Sequence, residues 1–256
     1  MNKSNIIDKA KYILVVPHNP SDEDMNNIFE ENKVGIDNFL KDKMYLKIES
    51  LNPHDRYVNY PNCHHYTTKF WYSHLNDIMN YLNVKEFNVN DFTLVEDVCD
   101  NDNYSFLYPI KDFKFKASGL YYDFYSSPDI KLSIGLDNVK CGGFNIISHG
   151  TQNMSLFLES EYFNTKYHQL FRYSHENIKI ENLSIDSNRI LVVSGDSHTV
   201  PLIPILCCYF KKVIVLDNRW KNIPAHLFYQ DENITDVLIM LSYNNSLDKF
   251  IINNFY

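Results

Sequence analysis

The stretch Arg189-Ile-Leu-Val-Val-Ser-Gly-Asp-Ser-His-Thr-Val200 decides how the rest of the chain is interpreted. Residues 190–193 are β-branched or aliphatic, which is typical of a parallel strand covered on both faces. Gly195 then permits a sharp turn, and the hydroxyl of Ser197 or Thr199 can cap a following helix. The stretch therefore predicts a buried strand, a tight turn and a helix start.

Ser197 is the first candidate nucleophile because of its place in this stretch. Open α/β sheets bind their ligands at the carboxyl ends of the strands, where free helix N–H groups can also stabilise an oxyanion. A simple helix cap is the competing interpretation, since serine is one of the commonest capping residues. The Gly-Asp-Ser turn alone does not separate these two roles.

The composition predicts one large α/β domain. Of 256 residues, 45% are hydrophobic and 15% are aromatic, which is enough for a substantial core. The formal net charge is -8 and no stripe of lysine or arginine is evident, so we expect no nucleic-acid partner. Five cysteines without a C-x-x-C pair predict a reducing compartment and no disulfide framework.

The first ten residues alternate charged and apolar side chains, without a signal-peptide core or a membrane-spanning helix. We therefore expect a cytoplasmic protein with no membrane segment. A chain trimmed of its leader, or one cut from a larger exported parent, would have the same sequence. The oligomeric state is left open by the sequence.

Both ends of the chain predict alternating strands and helices. The N-terminal part predicts a βαβ unit, with a strand at 11–16, a helix through Phe29, a second helix over 34–40 and a strand at 44–48. After Ser197 the pattern predicts an apolar helix at 200–210, a strand at 212–216, a helix at 225–230 and a strand at 236–241.

The middle of the chain, residues 84–150, predicts an inserted β-rich region. Charged and aromatic residues alternate there with a period of two, which indicates strands at 88–95, 113–116, 120–124 and 130–134. Tyr121 begins a tyrosine-rich segment that could line a sugar groove, because aromatic faces with polar handles suit such ligands. Aromatic residues packing a β layer would give the same pattern.

A second chemically dense stretch, residues 52–68, precedes another predicted helix. Thr67 or Thr68 can cap that helix, whose apolar residues recur at helical spacing. His64 and His65 lie on the loop that enters it, where a well-held neutral imidazole can serve as a general base. A metal site is the alternative for this pair, but no third ligand is evident nearby, so we predict no metal.

Three consecutive predicted strands of the C-terminal half end in polar side chains. Ser197 follows the first, Asp217 and Arg219 follow the second, and Asn244 and Asn245 follow the third. The carboxyl ends of parallel strands meet at the same edge of a sheet. The convergence predicts a functional site at that edge.

Four stretches of the chain, in this order, carry a family resemblance. They are Cys63-His-His-Tyr-Thr67, Phe115-Lys-Ala-Ser-Gly-Leu-Tyr121, Gly195-Asp-Ser-His-Thr-Val-Pro201 and Leu216-Asp-Asn-Arg-Trp220. The first resembles the Asp-x-His-Trp-Thr stretch of the DHHW family, the third its Asp-Ser turn before an apolar helix, and the fourth its Asp-x-Arg-aromatic group. The resemblance runs through most of the chain and extends, more distantly, to the alginate O-acetyltransferases. It implies one SGNH-hydrolase-like (flavodoxin-like) domain over residues 1–256, a three-layer sandwich around a central, mainly parallel sheet.

This resemblance also implies a function. Ser197 would be the acyl-accepting nucleophile and His65 its general base, in an O-acetyltransferase or O-acetyl esterase that acts on carbohydrate without a cofactor. The backbone N–H of Ser197, with a side chain such as Asn245 or Arg219, would hold the oxyanion. The substrate, a carbohydrate or an acylated small molecule, would contact the residues at the predicted site, namely His64, Asp217, Arg219, Asn244, Asn245 and Tyr121.

One position departs from the family pattern. Cys63 stands where the family has the Asp that orients the histidine, and a neutral thiol is a poor acceptor. Loss of that acid typically lowers turnover about 10⁴-fold in a serine triad. Either another carboxylate, Asp55 or Asp196, orients His65, or the protein is a catalytically impaired glycan-binding or scaffold protein. A metal hydrolase built on His64 and His65 is the third hypothesis.

Overall fold

The computed structural model of the chain describes residues 4–16, 23–49, 66, 68–99, 102–109, 113–119, 144–148, 153–154, 178–216, 229–251 and 255. Its strands are β1 (Ala10–Val16), β2 (Tyr45–Glu49), β3 (Phe92–Cys99), β4 (Asp102–Pro109), β5 (Phe113–Gly119), β6 (Phe144–Ser148), β7 (Asn153–Met154), β8 (Ile178–Asn182), β9 (Ile190–Ser194), β10 (Lys212–Leu216) and β11 (Asp236–Ser242). Its α-helices are α1 (Ser4–Ile7), α2 (Glu23–Leu40), α3 (Thr68–Tyr81), α4 (Ile203–Cys207) and α5 (Leu247–Phe250), and 3-10 helices lie at Val89–Asp91 and Ser197–Leu202.

A sheet of nine strands runs through the described residues, in the order β2-β1-β11-β9-β10-β8-β5-β6-β7. The five strands from β2 to β10 in this order are parallel to one another. β8 is antiparallel to both of its neighbours, β5 and β6 pair in parallel, and β7 is antiparallel to β6. β3 and β4 form a separate antiparallel pair. The predicted α/β class with a mainly parallel central sheet is confirmed.

The five parallel strands have a known order when β9 is counted as the first strand. Numbered by their order in the chain, the strands from β2 to β10 are 2-1-5-3-4. Numbered from β9, and followed across the sheet from β10 to β2, they are 2-1-3-4-5. That is the flavodoxin-like order, whose ligand crevice lies between its first and third strands. Here those strands are β9 and β11, so the topology directs attention to their carboxyl ends.

Helices cover both faces of the parallel strands, which gives three layers. On one face Ile13, Val15 and Val193 belong to a fully buried cluster with α3 and α4. On the other face Leu14 and Val192 belong to a second cluster with α2 and α5. Alternate residues of one strand therefore enter opposite cores, and this explains why these strands are continuously apolar in sequence.

The helices that follow β9 and β11 lie on opposite faces of the sheet. α4, which follows β9, packs in the cluster with α3, whereas Phe250 of α5, which follows β11, packs in the cluster with α2. The segments that follow the adjacent strands β9 and β11 therefore leave toward opposite faces of the sheet, and divergence of this kind opens a crevice at a sheet edge.

Two predicted helices proved different in the structure. Residues 23–40 form the single helix α2 and not two helices, with Phe29, Ile36 and Leu40 as its buried stripe. Gly35 does not interrupt α2, and a Cβ added at position 35 would meet no atom within 4 Å. The predicted helix at 200–210 is instead a 3-10 helix followed by the short α4, because Pro201 has no N–H for an α-helical bond.

The other predicted elements are mostly confirmed where the structure describes them. The strands predicted at 11–16, 44–48, 113–116, 190–193, 212–216 and 236–241 are present within a residue or two, or as part of a longer strand. The strand predicted at 88–95 is a 3-10 helix followed by β3, and β8 was not predicted. The strands predicted at 120–124 and 130–134 lie outside the described residues, as does the helix predicted at 225–230 except for its last two residues. In the described part of the chain, no helix combines the length and the apolar character needed to span a membrane.

Candidate active site

The turn after β9 depends on the absence of a side chain at Gly195. A Cβ placed there would lie 2.0 Å from Cγ2 of Thr199 and 3.3 Å from Cβ of Met240 on the neighbouring strand β11. The backbone N–H of Gly195 donates to the carbonyl of Leu216 on the other neighbour, β10, at 3.3 Å. Close approach of the following turn is therefore what requires glycine here.

Asp196 is the residue that caps the 3-10 helix. Its Oδ1 accepts the backbone N–H of His198 at 2.9 Å, and its carbonyl accepts both the N–H and the hydroxyl of Thr199, at 3.0 and 2.7 Å. The predicted capping role of Thr199 is wrong, because its hydroxyl donates to a carbonyl and does not accept a helix N–H. The described cap is the Asp196 carboxylate, which satisfies an otherwise unpaired N–H of the first helical turn.

The same carboxylate reaches across to the end of β11. Oδ2 of Asp196 accepts hydrogen bonds from the hydroxyl of Ser242 and, at 3.1 Å, from the amide of Asn245. Only 2% of Asp196 is exposed to solvent. A buried carboxylate is stable only when donors compensate for its lost hydration. Residues 242–245, here called the 242–245 turn, supply two of the described donors and the turn after β9 supplies the third.

The side chain of His198, in the 3-10 helix after β9, contacts the side chain of Asn244, in the 242–245 turn. His198 is 1% exposed, and its Nε2 lies 3.4 Å from Nδ2 of Asn244. The contact joins the 3-10 helix after β9 to the end of β11. His198 was not among the predicted site residues, although its position directly after Ser197 was a usable signal.

Tyr66 brings the histidine-containing stretch of the sequence to the same edge of the sheet. Its hydroxyl donates to the carbonyl of Val16, the last residue of β1, at 2.5 Å. Its ring stacks on Phe70 with centroids 4.0 Å apart and lies 6.4 Å from the ring of His198. The residue that directly follows His65 in the chain is thus fixed beside the turn that carries Ser197.

This arrangement has counterparts among solved structures. The fold is that of a DHHW family protein from Eubacterium siraeum. The TM-score is 0.58 at 15% sequence identity, over 96% of this chain and 81% of that protein. PatB1 of Bacillus cereus with a sulfonyl adduct is also similar, with a TM-score of 0.60 at 18% identity over 94% of this chain and 84% of PatB1. A second PatB1 structure has a TM-score of 0.57 at 17% identity, over 96% of this chain and 87% of PatB1.

At these identities the shared property is the fold. The sequence itself matches no protein-family model and no curated protein. The resemblance to the DHHW family that the motifs predicted is therefore confirmed at the level of three-dimensional structure. The strand order of this chain places the end of β9, which precedes the candidate nucleophile, at the switch point between β9 and β11.

The 242–245 turn of this DHHW-like fold is also held from the opposite face. The hydroxyl of Tyr243 donates to Oδ1 of Asp37 at 2.8 Å, and the Tyr243 carbonyl accepts the amide of Asn32 at 3.2 Å. Burial, and then the hydrogen bond to Asp37, raise the pKa of the Tyr243 hydroxyl. The tyrosine therefore stays a neutral donor, and α2 fixes the turn at its second residue.

The structure brings together some of the predicted site residues and does not describe others. Asp196, Asn244 and Asn245 lie together at the ends of β9 and β11, and the backbone of Ser197 begins the 3-10 helix beside them. Other predicted residues lie outside the described residues, namely Asp55, Cys63, His64, His65, Tyr121, Asp217 and Arg219. Among the described residues there is no cluster of three His, Cys, Asp or Glu side chains that could hold a metal ion.

A cleft of about 330 Å³ lies on the other side of the 242–245 turn, between α2 and the edge strand β2. Lys33, Asp37, Lys47 and Tyr243 are among the residues that line it. Asp37 pairs with Lys33 at 3.1 Å and Glu49 pairs with Lys47 at 2.5 Å, so much of the charge there is neutralised locally. The cleft is separated by the sheet edge from the turn that carries Ser197.

Proposed function

We propose that this protein is an acyl-transfer enzyme acting on carbohydrate, with Ser197 as the nucleophile and His65 as the general base. The observation that carries the proposal is that Ser197 begins the 3-10 helix after β9, at the switch point between β9 and β11. PatB1, which shares this fold, was solved with a sulfonyl adduct. Sulfonyl groups attach covalently to nucleophilic atoms, so that adduct supports nucleophilic chemistry in this fold.

The role of Asp196 weakens the competing interpretation of Ser197 as a helix cap. The 3-10 helix is capped by the Asp196 carboxylate, which accepts the N–H of His198. A serine is therefore not needed at position 197 to cap the helix. Cys207 and Cys208 are poor alternative nucleophiles, because burial raises the pKa of both well above that of a free thiol.

His65 is proposed as the base because of its neighbour in sequence. Tyr66, the next residue, is fixed at the end of β1 and lies beside His198. In the proposed step, Oγ of Ser197 attacks the acyl carbonyl carbon while its proton passes to His65. The tetrahedral intermediate then expels the donor's alcohol, which takes the proton back from His65, and leaves an acyl-serine. A sugar hydroxyl, or water in an esterase, completes the reaction by attacking that ester.

Asn244 is the side chain that we assign to the oxyanion. The sequence suggested Asn245 or Arg219, but the amide of Asn245 donates to Asp196. The Asn244 side chain contacts the 3-10 helix after β9 through Nε2 of His198. Its amide group has two N–H bonds, so this contact leaves one N–H for another acceptor. Together with the backbone N–H of Ser197, it would provide the pair of donors that tetrahedral intermediates need.

A catalytically impaired glycan-binding or scaffold protein is the second candidate. It is favoured by one observation, the thiol of Cys63 at the position where the family has an acid. A protein of this kind would keep the fold and the crevice but would bind saccharide equally well after Ser197→Ala.

The deciding experiment is intact-mass analysis after incubation with a fluorophosphonate. We expect one adduct on the wild type and none on Ser197→Ala or His65→Ala. Ser73→Ala and His74→Ala, whose described hydrogen bonds are to each other and to the carbonyl of Phe70 within α3, are matched controls and should be labelled like the wild type. If the wild type takes up no label, the enzyme proposal fails and the glycan-binding candidate replaces it. If labelling persists in Ser197→Ala, Ser197 is not the nucleophile.

A further inference from the structure

The position of every residue in the 242–245 turn is fixed by a hydrogen bond to another element. Ser242 and Asn245 donate to Asp196, Tyr243 donates to Asp37 on α2, and Asn244 contacts His198. Asn244, the proposed oxyanion donor, therefore lies between two anchored neighbours. Donors that are held before the substrate arrives need no rearrangement during the reaction, which is what makes them effective.

Asp196 is the acceptor shared by the two turns at the crevice. Its Oδ1 serves the turn after β9, through the N–H of His198, and its Oδ2 serves the 242–245 turn, through Ser242 and Asn245. The donors come from the ends of two adjacent parallel strands, residues that lie 46 and 49 positions from Asp196 in sequence. This carboxylate thus connects the segment that carries the nucleophile with the segment that carries the oxyanion donor.

We infer that Asp196 is a positioning residue that fixes the Ser197 turn relative to the 242–245 turn. For its catalytic consequence the inference rests on the proposed function. It assigns to Asp196 a task different from that of orienting the histidine base, and the two tasks have different signatures. A carboxylate that orients the base sets the pH at which the base loses its proton, whereas a carboxylate that joins two turns sets the placement of atoms.

Asp196→Asn is the informative substitution because it keeps the size of the side chain. Its remaining oxygen can still accept the N–H of His198, but the new NH₂ group cannot accept from Ser242 or Asn245. We expect the rate of fluorophosphonate labelling to fall about 100-fold, the effect of misplacing reacting groups by about 1 Å. The midpoint of the rate against pH should stay within about 0.3 units of the wild type, a small part of what removing a charged partner produces. A larger shift would overturn the inference in favour of base orientation.

The exchanged pair Asp196→Asn with Asn245→Asp provides the rescue. In this double variant the amide at 196 donates to the carboxylate at 245, so the connection between the turns is restored with donor and acceptor reversed. We expect it to recover at least about a tenth of the wild-type labelling rate, a tenfold gain over the single variant. Labelling no faster than in Asp196→Asn alone would contradict the positioning role.

Hydrogen exchange separates this inference from the proposed function. The backbone N–H groups of Thr199 and Asn245 close the two turns, by donating to Asp196 and Ser242. We expect both to exchange at least about tenfold faster in Asp196→Asn, because local opening becomes more frequent. Ser194→Ala, which removes the buried hydroxyl that bonds Phe250 on the other face, is the matched control and should leave these two rates unchanged. Unchanged exchange in Asp196→Asn overturns the inference even if the wild type is never labelled. Faster exchange in a protein without labelling leaves the connection standing and removes only the enzyme proposal.

Discussion

The amino and carboxyl edges of the parallel sheet are built from the same strands but differ in the contacts that their described residues make. At the amino edge, Arg189 before β9 forms a two-point ion pair with Asp236 at the start of β11, at 2.6 and 3.1 Å. At the carboxyl edge, the described partners of the buried Asp196 carboxylate are neutral N–H and O–H groups. The ion pair at the amino edge stabilises the fold, but its charged groups already have partners and are not available to a ligand. The N–H and O–H donors at the carboxyl edge are held in fixed directions, and a site that stabilises a developing charge needs donors with fixed directions.

Gly195 provides the largest test of this difference. We expect Gly195→Ala to destabilise the protein by about 3 kcal/mol, because its methyl group would lie 2.0 Å from Cγ2 of Thr199. Urea unfolding measures the loss. Adding Thr199→Ser removes that methyl group, so the double variant should recover most of the stability. No recovery would mean that Met240, and not Thr199, determines the space available at Gly195.

Arg189 tests the amino edge. Its guanidinium also donates to the carbonyls of Leu82 and Asn83, and it lies 4.6 Å from the ring of Phe210. We expect Arg189→Leu to cost about 2 kcal/mol, because several charged hydrogen bonds are lost at a partly buried pair. Labelling of Ser197 by fluorophosphonate, measured well below the unfolding transition, should keep its wild-type rate. A slower reaction would show that the two edges are not independent.

A substitution at Gly35, within α2, should change stability in the opposite direction. A methyl group at this exposed helical position would meet nothing within 4 Å. Gly35→Ala should therefore stabilise the protein by about 1 kcal/mol, through helix propensity alone. Comparison of its thermal midpoint with that of Gly195→Ala shows whether glycine is required by close approach or only tolerated. A destabilised Gly35→Ala would contradict the helix as described.

Glu232 gives the smallest expected effect, and it depends on pH. Burial raises the pKa of its carboxyl, but hydrogen bonds from Lys212 and Lys179 outweigh burial and leave the pKa below its usual value. A depressed carboxyl pKa contributes stability above the unfolded-state pKa, and that stability is lost as the pH falls through the folded-state pKa. Glu232→Gln should therefore lower stability by less than about 1 kcal/mol at pH 7, and the difference from wild type should shrink as the pH falls through the folded-state pKa of the carboxyl. A difference that is constant from pH 7 to pH 3 would show that the ion pairs contribute nothing.

The central strands could be predicted from sequence because both of their faces are buried. β9 and β10 are largely apolar runs, as buried parallel strands are. Asn244 and Asn245, predicted to follow a strand, do lie at the carboxyl end of β11, beside the turn after β9. β8 escaped prediction because it is only five residues long, with two isoleucines that alternate with polar side chains, and such a short segment gives a weak signal. The pattern also suggested a break within α2 that does not exist, since helix packing there compensates for Gly35.

The hydrogen-bond partners of Asp196 could not be predicted from the sequence, for a different reason. The sequence placed Asn244 and Asn245 at the end of one strand and Asp196 at the end of another, and the structure brings the three together. Which of the asparagines bonds the carboxylate depends on how the chain turns after β11, and that is decided by contacts of Tyr243 with α2. Such contacts join residues 206 positions apart and leave no periodic trace in the sequence.

The central position of β11 also decides when the protein can fold during synthesis. β11 pairs with both β1 and β9, yet it spans residues 236–242 and is made after both of them. Until it leaves the ribosome, β1 and β9 each present a bare hydrogen-bonding edge and the apolar surfaces of two unfinished cores. A nascent chain halted before residue 236 is therefore the form most exposed to aggregation and most dependent on chaperones.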